Sequence, residues 1–129
     1  MFNSVWYDNL IKPLMTPPSW VFAPVWIILY SCLLIALIIY SVTFTLNKKL
    51  QGYILFVIHM IFNVLWSPIF FQLQKPDIAL AVLVIMLITA LLFIKKFYSV
   101  SKLSGIILIP YLIWIFFAAY LNVGIVMLN

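Results

Sequence analysis

The sequence predicts an all-α membrane protein, an up-down bundle of four transmembrane helices. Hydrophobic residues make up 68% of the 129 residues and charged residues only 7%, whereas soluble domains are typically about 45–50% apolar and about 25% charged. Four apolar stretches are each long enough to cross the hydrocarbon core of a bilayer, which takes about 20 residues. Short connectors separate these stretches, so consecutive helices are expected to run antiparallel.

Each apolar stretch is assigned to a helix, because an open sheet in lipid would leave backbone N–H and C=O groups unpaired. The alternation of apolar and polar residues that marks a barrel strand is absent from these stretches. The segment before the first stretch contains several prolines and is expected to lie outside the membrane. The predicted single domain, residues 1–129, consists of an external loop at 1–19 and helices at about 20–46, 52–73, 77–96 and 103–128.

The lysines predict the orientation of the bundle, because cytoplasmic connectors carry an excess of positive residues. The connectors after the first and third helices contain five lysines: Lys48, Lys49, Lys95, Lys96 and Lys102. The other side of the membrane has only two, Lys12 and Lys75. Both termini are therefore expected outside, in a multi-pass protein of a bacterial cell membrane. The lysines are scattered between apolar segments, so no nucleic-acid partner is expected.

The predicted helices are poor in the groups that most chemistry requires. Their apolar cores contain no Asp, Glu, Lys or Arg, and such residues are the usual relays of proton-coupled exchangers. No nucleophile, base and acid form a recognisable catalytic set, so an enzyme has little support. Cys32 is the single cysteine, which excludes an intramolecular disulfide and a cysteine-based metal cluster.

The second predicted helix carries a polar stripe. His59, Asn63 and Ser67 are spaced four apart and therefore share one helical face, with Trp66 at its border. One interpretation is that the stripe forms contacts between helices. The other is that Asn63 and Trp66 line a ligand cavity. His59 is either a buried histidine with hydrogen-bond partners or an axial ligand of a haem-type group.

Pro68, which follows this stripe, removes a backbone donor and is expected to bend the helix. Such a bend opens space between helices near Trp66, or it is a tolerated kink without a site.

Two further helices present a tryptophan beside a small or polar neighbour. In the first helix Tyr30 follows Trp26 by four residues, and in the fourth Ala118 and Asn122 follow Trp114 by four and eight. Flat aromatic walls with a few polar groups suit a flat, mostly apolar ligand. The alternative is ordinary aromatic packing in the core of the bundle.

Three motifs in this order resemble those of the TspO/MBR family, which comprises tryptophan-rich sensory proteins and translocator proteins of the peripheral-type benzodiazepine receptor kind. The resemblance covers nearly the whole chain. It rests on Trp6-Tyr7, Leu10, Lys12-Pro13, Thr16-Pro17-Pro18, Trp20, Phe22, Pro24-Val25-Trp26 and Tyr30, then Asn63, Leu65-Trp66-Ser67-Pro68 and Phe70-Phe71, and finally Pro110-Tyr111-Leu112, Trp114, Phe117-Ala118 and Leu121-Asn122.

The resemblance implies a receptor-like or transporter-like protein that binds tetrapyrroles such as protoporphyrin or haem, and other flat apolar ligands, in an aromatic pocket within the bundle. It implies a sensory or stress-regulatory role, no obligatory cofactor, a lipid bilayer as surroundings and a homodimer as one possible assembly. Two alternatives are an enzyme of light-dependent porphyrin breakdown and a structural membrane protein without a small ligand. The implied ligand-binding residues are Trp6, Tyr7, Trp26, Tyr30, Asn63, Trp66, Leu83, Trp114, Ala118 and Asn122, of which Leu83 is placed only by counting along the third helix.

The chain departs from the family pattern at three places. The family has five helices, with one before the Trp-Tyr loop, so the first helix is expected to be missing and with it one wall of the pocket. Met15 stands where the family usually carries an aromatic residue. The sterol motif of animal members, which follows Leu121-Asn122, is absent from 123–129.

Overall fold

A computed structural model describes residues 4–46 and 48–129 of the chain. Within these ranges the regular structure is helical throughout, and four helices are long and apolar enough to cross a membrane. The prediction of an all-α membrane bundle is confirmed, and the chain is an integral, multi-pass membrane protein. Many leucine, isoleucine and valine side chains on the outside of the bundle are exposed, as expected when the surrounding solvent is lipid.

Six α-helices run in chain order: α1 at Ser4–Asp8, α2 at Phe22–Val42, α3 at Leu50–Ser67, α4 at Pro76–Val100, α5 at Lys102–Ile107 and α6 at Ile109–Leu128. The segment predicted as a loop at 1–19 thus contains the short helix α1. The first spanning helix, predicted to reach about residue 46, ends at Val42 because the backbone of Thr43 is extended and its hydroxyl caps the Ile39 carbonyl at 2.6 Å.

Two prolines shape the spanning helices locally. Pro110 has no N–H to donate to the preceding turn, and the predicted helix at 103–128 is accordingly divided at Leu108 into α5 and α6. Pro68 ends α3, and the chain continues as a wide π-helical turn at Pro68–Gln72, closed by a 3.0 Å bond from the Leu73 N–H to the Pro68 carbonyl. This turn buries both Phe70 and Phe71.

Helix α4 lies at the centre of the bundle and packs against α3 and α6, while α2 packs mainly against α5. The buried face of α4 includes Met86, Ala90 and Phe93, which have no exposed surface. The Ser104 hydroxyl of α5 donates to the Ala36 carbonyl of α2 at 2.7 Å. This bond joins α5 to α2 inside the bundle, where no water is available as an alternative partner.

The segment between α1 and α2 is fastened to the end of α6. The Asn129 amide accepts from the Ile11 N–H at 3.1 Å and donates to the Ile11 carbonyl at 2.8 Å. The Tyr120 hydroxyl donates to the Leu14 carbonyl at 2.8 Å. Gly124 is required for this contact, because a Cβ atom there would stand 2.5 Å from the Pro13 ring. These contacts place α1 over the end of the bundle at which α6 ends.

Candidate ligand-binding site

A small cavity lies under α1 at this end of the bundle. Its volume is about 40 Å³, and on this measure a single water needs about 10–15 Å³. Most of its wall is aromatic or aliphatic, and α1, α2, α6 and the end of α3 all contribute to it. The lining residues are Tyr7, Phe22, Trp26, Trp66, Phe70, Phe71, Trp114, Ala118, Leu121, Asn122 and Ile125.

The aromatic rings around the cavity pack against one another. Trp66 stacks on Phe70 with ring centroids 5.1 Å apart, and Trp26 meets Trp114 edge to face at 6.4 Å. Phe22 packs on Trp114 in the same manner at 5.9 Å. The rings therefore form flat walls that stand close together, and they leave only a narrow gap between them.

Two polar groups belong to this apolar wall. Two hydrogen bonds fix the orientation of the Asn122 amide. Its oxygen accepts from the Trp66 indole N–H at 3.1 Å, and its nitrogen donates to the Pro76 carbonyl at 2.8 Å. The indole N–H of Trp114 is buried and has no acceptor within the part of the chain that the structure describes. An unsatisfied buried donor costs about 1–3 kcal/mol, so a ligand that supplies an acceptor here gains affinity.

A positive charge lies beside Tyr7, one of the residues that line the cavity. The Lys12 ammonium group donates to the carbonyls of Asp8 and Leu10, both at 3.2 Å, and lies 4.8 Å from the centre of the Tyr7 ring. Burial raises the pKa of Tyr7 to about 12, and the neighbouring Asp8 carboxylate adds to this effect. Tyr7 therefore stays neutral at physiological pH and presents an uncharged ring to the cavity.

The structure brings six of the ten predicted ligand-binding residues to one cavity: Tyr7, Trp26, Trp66, Trp114, Ala118 and Asn122. Trp6 lies behind this wall and packs edge to face on Phe70 at 5.5 Å. Leu83 is buried in the core among α2, α4 and α6 and does not line the cavity.

Tyr30 and Asn63 also lie away from the cavity, in a polar network deeper in the bundle. The Tyr30 hydroxyl donates to the Asn63 side-chain oxygen, and the Asn63 amide donates to the Tyr111 hydroxyl. Tyr111 is also bonded to Nε2 of His59, whose Nδ1 lies 3.0 Å from the Met86 carbonyl. Because that carbonyl can only accept, Nδ1 carries the proton and Nε2 accepts from Tyr111.

This network favours the first of the two sequence-based interpretations of His59, a buried histidine with hydrogen-bond partners. Both ring nitrogens have protein partners, and the side chain has no exposed surface. His59 is therefore a buried histidine that joins helices, and an axial bond to a haem iron would require breaking the bond to Tyr111.

Five lining residues were not predicted: Phe22, Phe70, Phe71, Leu121 and Ile125. Phe70 and Phe71 are adjacent in sequence, and regular α-helical spacing would point them about 100° apart. The wide turn after Pro68 allows both rings to reach the cavity. A proline followed two residues later by a pair of aromatic residues is the sequence signal that points to them.

Comparison with known proteins identifies the family of the chain. A sequence model described as the TspO/MBR family matches residues 1–128. The chain belongs to the TspO/MBR family. It is 39% identical to a tryptophan-rich protein TspO of Chlorobaculum tepidum over 98% of the chain and 80% of that relative. It is 34% identical to a tryptophan-rich sensory protein of Cereibacter sphaeroides over 96% of the chain and 77% of that relative.

The likeness extends beyond bacteria. The human translocator protein is 33% identical over 91% of the chain and 70% of the human protein. The predicted family is thereby confirmed.

Proposed function

We propose that this TspO/MBR protein binds a flat, mostly apolar tetrapyrrole, such as protoporphyrin, in the aromatic cavity and serves a sensory or stress-regulatory role. The main support is that Trp26, Trp66 and Trp114, from three different helices, line one cavity. Indole rings offer large flat faces for stacking. The sensory role draws on the name of the Cereibacter sphaeroides relative, a tryptophan-rich sensory protein.

Binding of such a ligand requires the cavity to widen. Pockets for drug-sized ligands enclose about 300–1,000 Å³, whereas this cavity measures about 40 Å³. Helix α1 is the part best placed to move, because it is only five residues long and contributes the Tyr7 ring to the cavity. Its connection to the bundle runs through the segment that is bonded to Tyr120 and Asn129 of α6.

The positive charge of Lys12, beside Tyr7, supports an anionic ligand. Lys12 lies beside the Tyr7 ring, so a macrocycle that replaces this ring between the aromatic walls places its edge near the ammonium group. Tetrapyrroles of the protoporphyrin kind carry carboxylates on one edge. We assign Lys12 the role of pairing with such a carboxylate.

The lysines also support an orientation for this function. Five of the seven lysines of the chain lie at the end of the bundle opposite the cavity, and positive residues favour the cytoplasmic side. The cavity then opens toward the outside of the cell membrane, on the side of both termini.

A titration with protoporphyrin tests the proposal. The full chain in detergent is titrated and binding is followed from porphyrin absorbance, so that removal of a tryptophan does not alter the signal. Trp114→Phe removes the buried indole N–H from the cavity wall and is expected to weaken binding about five- to tenfold. The matched control is Trp20→Phe, since Trp20 is 73% exposed and lies outside the cavity.

The proposal is wrong if Trp66→Ala and Trp114→Ala both leave the dissociation constant unchanged. It is also wrong if Trp20→Phe weakens binding as strongly as Trp114→Phe.

A further inference from the structure

A groove lies at the other end of the bundle, far from the aromatic cavity. The groove is formed by the first turns of α3, the last turns of α4 and the connector before α3. Its lining consists of four residues of α3 and two lysines, one from the connector and one from α4. The lining residues are Lys48, Leu50, Gln51, Ile54, Leu55 and Lys96. Leu50 is 67% exposed and Ile54 50% exposed, so the groove opens to the surroundings of the bundle.

Gly52 sets the position of Lys96 in this groove. A Cβ atom on Gly52 would stand 3.1 Å from Cγ of Lys96 and closer still to the Tyr40 ring. The aliphatic stem of Lys96 therefore lies against the backbone of α3, and Lys96 lines the groove. Long lysine side chains commonly bury their stems in this way at a membrane interface.

Lys48 and Lys96, the two lysines of the groove, differ from the neighbouring Lys49 in their hydrogen bonding. Lys49 donates to the Ser41 carbonyl at 2.9 Å and lies 5.8 Å from the Tyr40 ring centre. Lys48 and Lys96 have no such hydrogen bond or ion pair within the described ranges.

No carboxylate of the chain balances these charges. The two acidic residues, Asp8 and Asp77, lie at the opposite end of the bundle. The groove therefore combines two uncompensated positive charges and a polar amide, Gln51, with an aliphatic floor.

We propose that this groove binds an anionic phospholipid, with the phosphate between Lys48 and Lys96 and an acyl chain along Leu50 and Ile54. Its mixed chemistry favours a lipid over a soluble phosphate, because only a lipid uses both the lysines and the apolar floor. Basic pockets between helices on the cytoplasmic side commonly bind such head groups. The site is separate from the aromatic cavity and does not depend on what that cavity binds.

Native mass spectrometry of the full chain in detergent tests this site. Phosphatidylglycerol and phosphatidylcholine with the same acyl chains are added in parallel, and the occupancy of each is measured. The variant Lys48→Gln/Lys96→Gln is compared with Lys95→Gln/Lys102→Gln, which removes the same charge at the same end of the bundle from two lysines outside the groove.

The wild type is expected to retain phosphatidylglycerol in preference to phosphatidylcholine. Each groove lysine removed is expected to weaken phosphatidylglycerol binding about fivefold, while the control pair changes it by less than about twofold. Added glycerol 3-phosphate is expected to leave the bound lipid in place. Lys48→Glu, which reverses a charge on a connector outside the helices, is expected to abolish the preference and guards against misfolding of the double variant.

Three results overturn the proposal. Equal losses in the two double variants show that diffuse surface charge binds the lipid. Equal retention of phosphatidylcholine shows that the head-group charge is not recognised. Displacement of the lipid by glycerol 3-phosphate shows that the apolar floor contributes nothing.

Discussion

The polar network and the aromatic cavity share helices α2, α3 and α6, yet they have opposite character. On α3, Asn63 belongs to the network and Trp66, three residues later, to the cavity; on α6, Tyr111 and Trp114 are divided in the same way. In the network, each polar side chain has a partner and the packing is close. In the cavity, the walls are apolar, a gap remains and the indole N–H of Trp114 lacks an acceptor among the described residues.

The difference between the two regions shows how one membrane bundle can combine a rigid polar network with an aromatic cavity whose walls can separate. A satisfied network in a medium without water fixes the helices relative to one another, because any shift would leave a buried donor or acceptor unpaired. Aromatic surfaces without such bonds separate at a lower cost. The network is therefore expected to control stability, and the cavity to control binding.

The largest effect is expected from Tyr111→Phe. The Tyr111 hydroxyl serves both His59 and Asn63, so its removal leaves two buried groups without a partner and destabilises the bundle by about 2–3 kcal/mol. Thermal unfolding in detergent measures this loss. Tyr120→Phe is the matched control, because its hydroxyl bonds a single carbonyl at the surface. Equal losses in the two variants would contradict the role assigned to the network.

A second comparison uses one substitution in the two environments. Ala90 on α4 has no exposed surface and lies in the close-packed core, whereas Ala118 on α6 lines the cavity. Ala90→Val is expected to cost about 1–3 kcal/mol of stability through overpacking. Ala118→Val is expected to cost less than about 1 kcal/mol, since the gap accommodates part of the added volume.

The same pair separates stability from binding. Ala118→Val is expected to weaken protoporphyrin binding about tenfold, or about 1.4 kcal/mol, because the added methyl groups occupy the ligand's space. Ala90→Val is expected to leave the affinity of the folded fraction unchanged. The reverse pattern in the titration would place the ligand away from this cavity.

An intermediate effect is expected from Trp66→Phe. This change keeps an aromatic ring on the wall but removes the N–H that the Asn122 side chain accepts. Stability is expected to fall by about 1 kcal/mol, measured by thermal unfolding. Asn122→Leu removes the acceptor of this bond and also the donor to the Pro76 carbonyl. The double variant Trp66→Phe/Asn122→Leu is expected to lose less stability than the sum of the two single losses, because the bond between the two side chains is counted only once. An additive loss would mean that the two side chains do not act as a pair.

The smallest effect on stability is expected from Asn129→Ala. Its amide bonds the Ile11 backbone in an exposed position, so a loss of about 0.5–1 kcal/mol or less is expected. Because these bonds hold the segment that carries α1, protoporphyrin is expected to associate faster with this variant in stopped-flow absorbance. An unchanged association rate would show that α1 does not limit access to the cavity.

The helical periodicity of the sequence predicted much of the candidate site. Residues four apart share a helical face, and this rule placed Trp114, Ala118 and Asn122 on one wall of the cavity. The rule failed where the helix is irregular, since the wide turn after Pro68 brings Phe70 and Phe71 into the wall. Tyr30 follows Trp26 by four residues but does not line the cavity, because periodicity gives a face but not the neighbouring helix that this face meets.

The sequence by itself determined that the chain crosses a membrane four times as helices, because the length and apolarity of a segment decide whether lipid can surround it. It also contained the motifs that assign the family. Only the tertiary structure decided that Tyr111 joins His59 to Asn63 and Tyr30 in one network. It also decided that Trp26, Trp66 and Trp114 enclose a gap. The physical reason is that hydrogen bonds and ring contacts between helices depend on their relative rotation and depth, which no single segment specifies.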